Sequence, residues 1–192
     1  KAKHFLSFGY NSLFLNDHTF KKNVKSLKPS NYMKIDSNLN IYVKEYWKLG
    51  ENIKEIYIKE KDASKNISEL LINSLKIRLR SDVKNIFCLS GGIDSGSLVS
   101  IASKKFNMQV DTFSIIDNNS LKYNEKNLIE HTLKDTNANY NFLYTNKINF
   151  FENLKNIIIY YESPVLTVNY LLHALMQKQI SEKGYKVVLS GN

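Results

Sequence analysis

Leu89-Ser90-Gly91-Gly92-Ile93-Asp94-Ser95 is the stretch whose reading decides the fold. Before it, Val83, Ile86, Phe87, Cys88 and Leu89 make an apolar run that reads as a buried strand. After it, Leu98, Ile101, Ala102 and Phe106 recur at helical spacing, so the heptapeptide is a strand-to-helix turn. Such a turn is where an α/β protein binds an anion. Paired glycines let the backbone approach a ligand, Ser90, Ser95 and Ser97 add hydroxyl donors, and a helix starting near Ser95 directs free N–H groups and its positive dipole end outward. The expected ligand is a phosphate or pyrophosphate. Asp94 would repel it unless Mg²⁺ lay between them, which makes Asp94 the candidate metal ligand. Neither the Gly-Lys-Ser/Thr nucleotide loop nor the GxGxxG dinucleotide pattern is present.

The chain has 192 residues, 43% hydrophobic and 23% charged, with a net charge of +9. That length supports one full core, or one core with a partial second module. No apolar stretch approaches a membrane span and Lys1-Ala2-Lys3-His4 has no signal-peptide core. The single cysteine, Cys88, fits a reducing compartment and a packing role, so the expected location is the cytoplasm. The lysines are scattered in short clusters (Lys21-Lys22, Lys59 to Lys61, Arg78 to Arg80, Lys104-Lys105), so the charge does not point to a nucleic-acid partner.

Residues 1–60 read as a β module. Tyr32, Met33, Ile35 and then Leu39, Ile41, Val43 alternate with polar residues around Asp36-Ser37-Asn38, the pattern of an antiparallel hairpin. With so few strands it reads as the tail of a larger sheet or a small docked addition. Residues 61–192 form the second expected domain. Asp62 caps a helix to about Arg80, with Ile67, Leu70, Leu71, Leu75 and Leu79 on one face. Strand 84–89, helix 95–106, strand 109–116, helix 123–135, strand 140–145, helices 151–161 and 167–182 and strand 185–189 then follow. This βαβα series predicts an α/β fold: a mostly parallel sheet with helices on both faces, preceded by a small β segment. Ligands in such folds bind beyond the carboxyl ends of the strands, which puts Ser90, Ser114 and Ser190 at one rim.

The loop matches SGGxDS, the pyrophosphate loop of the ATP pyrophosphatases. In order along the chain, Arg78-Leu79-Arg80-Ser81-Asp82-Val83, the loop, Thr112-Phe113-Ser114-Ile115, Glu162-Ser163-Pro164 and Val187-Val188-Leu189-Ser190-Gly191 resemble the synthetase domain of glutamine-dependent asparagine synthetases. Upstream, Phe8-Gly9-Tyr10, Thr19-Phe20, Leu27-Lys28-Pro29 and Tyr46-Trp47-Lys48-Leu49 look like the end of that family's glutaminase domain and its junction. The resemblance implies an adenine nucleotide alpha-hydrolase-like, Rossmann-like sheet. It also implies an ATP-dependent ligase with Mg²⁺, which activates a small-molecule carboxylate as an acyl-adenylate, releases pyrophosphate and passes the acyl group to an amine or ammonia. It places Leu89, Ser90, Gly91, Gly92, Asp94, Ser95, Ser114, Ile115, Ser190 and Gly191 around ATP, with Glu162 near the acceptor.

The resemblance also shows departures. The glutaminase nucleophile, an amino-terminal cysteine, is absent, so a glutaminase module is expected elsewhere in the full gene product and the synthetase domain is expected to be incomplete at its carboxyl end. Asn192 stands where asparagine synthetases have a Glu, and an amide lacks that charge. This leaves room for related amide formation by β-lactam synthetases, peptide-cyclising enzymes and sugar-modifying amidotransferases. Two other readings are a pyrophosphate-loop enzyme that adenylates RNA and a non-catalytic ATP-binding domain. His4, His18, His131 and His173 have no metal-ligand spacing. Glu125 and Glu130 read as solvated helix residues, Glu125 being the one placed to face the site. Catalytic residues are not assigned, and a homo-oligomer is compatible with the sequence.

Overall fold

The computed structural model describes Asp17 and residues 19–48, 50, 51, 53, 55–117, 125–165 and 167–191. Phe8-Gly9-Tyr10, Leu49, Asn192, His4, His18 and the start of the helix expected from 123 lie outside them. The chain divides into two compact units between Tyr57 and Ile58.

In the first unit, β1 (Asn31–Ile35) and β2 (Ile41–Glu45) pair antiparallel, from Asn31 opposite Glu45 to Ile35 opposite Ile41. Asp36 builds the connection expected of it. Its Oδ1 accepts the N–H groups of Asn38 and Asn40 at 2.9 Å each, and its Oδ2 accepts from Asn40 Nδ2 at 2.9 Å. The Asn40 side chain first, then the backbone N–H groups, hold the Asp36 carboxyl below its ordinary value. The alternating pattern does not produce one buried face: Met33, Ile35, Ile41 and Val43 are all exposed, as are Tyr32 and Tyr42.

The second unit runs α1 (Glu60–Arg78), β3 (Asn85–Cys88), α2 (Ile93–Ser100), β4 (Asp111–Ile116), α3 (Lys126–Thr136), β5 (Asn139–Tyr144), α4 (Phe150–Tyr161), α5 (Val168–Glu182) and β6 (Val187–Leu189). A π-helical segment, Ile101–Lys105, extends α2. The four strands are all parallel, in the order β5-β4-β3-β6. From β3 the chain steps outward to β4 and β5, then crosses back to place β6 on the other side of β3. The direction of winding therefore reverses between β3 and β6, and open α/β sheets bind ligands at such a reversal.

Strand alternation sorts the apolar residues onto two faces. Phe87, Leu89, Val110, Ile116 and Leu189 pack with Leu75 of α1, Val99 and Ala102 of the α2 region, and Ile129 and Leu133 of α3. Ile86, Phe113 and Leu143 pack with Met176 and Ile180 of α5. Three helices thus cover one face and α5 the other, as the series predicted.

Element ends differ from the expectations by up to three residues. α1 starts at Glu60 after Lys59, with no side-chain cap, rather than being capped by Asp62. Its stripe is also only partly used. Leu75 is buried, but Ile67 and Leu70 are 65% and 69% exposed. A 19-residue helix runs roughly 28 Å and a six-residue strand about 20 Å, so the amino-terminal turns of α1 overhang the sheet. Val83 precedes β3 and is exposed rather than part of a buried strand.

Candidate functional site

The loop leaves β3 at Leu89, which is buried and whose N–H donates to the Phe113 carbonyl at 3.0 Å. Ser95, buried in the first turn of α2, closes it. The Ser95 hydroxyl accepts the Ser90 N–H at 3.0 Å, lies 2.9 Å from the Ser90 hydroxyl, and reaches the carbonyls of Ser90 and Gly92 at 3.2 Å. The Ser90 hydroxyl in turn accepts the Gly92 N–H at 3.2 Å. Helix α2 begins at Ile93, two residues earlier than the spacing suggested, with extended Gly92 as its first flank. The N–H groups of Ile93, Asp94 and Ser95 open a helix, where no preceding carbonyl can take them, and no partner for them is found among the described residues. The positive end of the dipole lies at the same three amides.

Two further contacts fix this turn. Gly91 donates its N–H to Glu125 Oε2 at 2.8 Å. Gly191, after β6, lies so close to the start of α2 that a Cβ there would fall 2.7 Å from Ser95 N and 3.0 Å from the Asp94 carbonyl carbon. The carboxyl ends of β3 and β6 and the start of α2 therefore meet at the reversal point of the sheet.

A cavity of about 220 Å³ opens there, lined on its polar side by Ser90, Gly92, Asp94, Ser95, Glu125, Ser190 and Gly191. Its apolar side is Cys88, Leu89, Phe113, Ile115 and Met176, with His173 beside Met176 on α5. Burial pushes the Cys88 thiol above its ordinary pKa, which fits packing and not nucleophilic chemistry. A second cavity, of about 330 Å³, lies on the other side of Asp94 and Ser190, with Ser74, Arg78 and Ser97 along it. Arg78 donates to the carbonyl and the hydroxyl of Ser74.

Most residues singled out from the sequence come together here: Leu89, Ser90, Gly92, Asp94, Ser95, Ile115, Ser190 and Gly191 line the first cavity, and Gly91 is held just behind it. Ser114 is buried on the face of β4 opposite Phe113 and Ile115, with its hydroxyl unpartnered, and does not line the cavity. Glu162 ends α4 in a left-handed conformation, φ +51°, exposed and outside both cavities' linings. His173 and Met176 carried no signal in the sequence, since a helix's inward face is set by the sheet it meets. Glu125 lines the cavity, as its place after the second strand allowed, and also bonds the loop, which its reading as a solvated helix residue did not imply.

The residues suit a polyphosphate and, in one specific way, a divalent cation. The amides at the start of α2, unpartnered among the described residues, suit an anion. Among the described residues no group of three carboxylate, histidine or cysteine side chains could hold a metal ion. Mg²⁺ is commonly bound by one or two carboxylates together with substrate phosphates and water, so Asp94 fits an ion that arrives with a nucleotide.

Fold and loop together define an open parallel α/β protein with a pyrophosphate-type loop at its winding reversal. Residues 66–192 match the asparagine synthase family model, and the chain belongs to that family. Asparagine synthetase [glutamine-hydrolyzing] 1 of Bacillus subtilis (strain 168) is 34% identical over 97 residues, covering 50% of this chain and 15% of that protein. The aligned part thus spans a small share of its curated relative. Among solved structures, an NH3-dependent NAD synthetase from Campylobacter jejuni, in complex with nitrate, is similar at 16% identity and a TM-score of 0.41, over 66% of this chain and 54% of that one.

Proposed function

We propose that the full-length protein is an ATP-dependent amide-forming ligase that activates a carboxylate as an acyl-adenylate and releases pyrophosphate. The observation carrying this reading is the cavity at the β3–β6 reversal, where the start of α2, Asp94 and the Ser190-Gly191 loop converge on a polar wall facing an apolar one. Family membership supports the class of reaction.

The chain's residues have separable roles. The helix-start amides of Ile93 to Ser95 receive the phosphates, and Ser90, Gly91 and Gly92, whose own N–H groups are taken within the protein, keep the loop in shape. Leu89, Ile115, Phe113 and Met176 present an apolar wall suited to the adenosine, with backbone at Ser190-Gly191 beside it. Asp94 would hold Mg²⁺, which supplies charge neutralisation for the departing pyrophosphate. The work of this wall is positioning and electrostatic stabilisation: oriented amides meet negative charge developing at the leaving group without having to reorganise. An amine or ammonia then displaces AMP from the activated acyl group. Glu162 is the proposed contact for the acceptor, and Ser114 is proposed to serve the ATP side through the β4 backbone beside Ile115 and not through its buried hydroxyl, both on family resemblance.

The test is pyrophosphate release by the full-length protein from ATP and Mg²⁺, with aspartate or other small carboxylates and with glutamine or ammonia. Release that needs both a carboxylate and ATP is expected. Cleavage of ATP between the β and γ phosphates, or none with any carboxylate, would overturn the reading.

A further inference from the structure

A side chain that meets the loop from far along the sequence is Glu125, the residue just before α3. Three observations bear on it. Its Oε2 accepts the Gly91 N–H at 2.8 Å, across 34 residues of sequence. Gly91 is pressed against side chains at the start of α3, since a Cβ on it would lie 2.9 Å from Glu125 Cβ and 3.0 Å from Leu128 Cδ1. And Glu125 lines the same cavity as Ser90, Gly92 and Asp94.

Together with the serine network, this contact changes which amides a ligand can use. Ser90 N–H goes to the Ser95 hydroxyl, Gly91 N–H to Glu125, and Gly92 N–H to the Ser90 hydroxyl. Each of the loop's first three amides has an acceptor within the protein. The donors left for an anion are those of Ile93, Asp94 and Ser95 at the start of α2. The glycines therefore shape the turn, and the helix start binds.

We propose that Glu125 is a positioning residue of the pyrophosphate loop: by accepting the Gly91 N–H it clamps the loop to α3 and so aims the Ile93 to Ser95 amides at the polyphosphate. The proposal rests on the cavity being the nucleotide site. What Glu125 contributes is the hydrogen bond and not its charge. A second carboxylate beside Asp94 repels an incoming phosphate, so the contact helps binding only through geometry. Glutamine keeps an oxygen acceptor of the same length and loses the charge, alanine loses both, and aspartate keeps the charge with a side chain one methylene shorter.

The experiment compares wild type, Glu125→Gln, Glu125→Ala and Glu125→Asp in the full-length protein. Two readings are taken: the affinity for inorganic pyrophosphate with Mg²⁺, and hydrogen exchange at the Gly91 amide without ligand. Glu125→Gln is expected to keep slow Gly91 exchange and to bind pyrophosphate within about threefold of wild type or tighter. Glu125→Ala and Glu125→Asp should exchange Gly91 fast and bind at least about tenfold more weakly, the scale of loss that sub-ångström misplacement of a site produces. Equal damage in Glu125→Gln and Glu125→Ala would mean that the charge is what matters, as for a metal ligand, and would overturn the proposal. Unchanged behaviour in all variants would do the same. Wild type failing to bind pyrophosphate would strike the nucleotide reading alone, because the exchange measurement tests the clamp without ligand.

Discussion

At the scale of single residues, the loop's acids and hydroxyls divide between folding and binding. Ser95 looks like a phosphate donor from the sequence, yet its hydroxyl is spent inside the turn, on Ser90 and Gly92. Asp94 is different. It is exposed, has no hydrogen bond or ion pair to a side chain among the described residues, and lies between the two cavities. Asp94→Asn should therefore leave the fold intact, costing at most about 1 kcal/mol through the helix dipole. It should remove most of the advantage that Mg²⁺ gives to ATP binding. Calorimetric titration with and without Mg²⁺ reads that ratio, and the same ratio in mutant and wild type would reduce Asp94 to a residue favouring the start of α2.

At the scale of elements, the site is a contact between loops that follow two neighbouring strands. Gly191 is the residue that lets the chain after β6 touch α2. Its φ is not in the left-handed region, so what requires glycine is space alone. In Gly191→Ala the new Cβ would meet backbone atoms of Ser95 and Asp94, which cannot rotate away as a side-chain tip can. The expected cost is about 1–3 kcal/mol of stability, as for overpacking in a core. Weaker pyrophosphate binding should accompany it, because the start of α2 must move. Denaturant unfolding together with a binding titration checks both, and full affinity in the mutant would show that the two loops move apart without disturbing the amides. By contrast, Gly184 has φ +86° and nothing within 4 Å of a built Cβ, so its constraint is conformational.

At the scale of the whole molecule, the second unit stacks two cores on one sheet, and the cavity sits at its end rather than within either core. Ile180 tests that separation. It is 1% exposed, packs with Ile86, Phe113 and Leu143 under α5, and does not line either site cavity. Ile180→Ala should destabilise by about 2–5 kcal/mol. The protein that remains folded should bind pyrophosphate as wild type does, which a thermal melt paired with a titration would show. A parallel loss of affinity would mean that the α5 core sets the geometry of the loop. The sequence alone determined the strand-turn-helix at residues 89–95, the αβ alternation and the loop residues Ser90 to Ser95 of the polar wall, because periodicity and a glycine-rich turn are local properties. Only the tertiary structure decided that β6 returns beside β3, that His173 and Met176 face the cavity while Ile67 and Leu70 face solvent, and that Glu125 clamps Gly91. These depend on which strands pair and how far a helix outruns its sheet, and contacts between residues far apart in the chain leave no periodic trace in it.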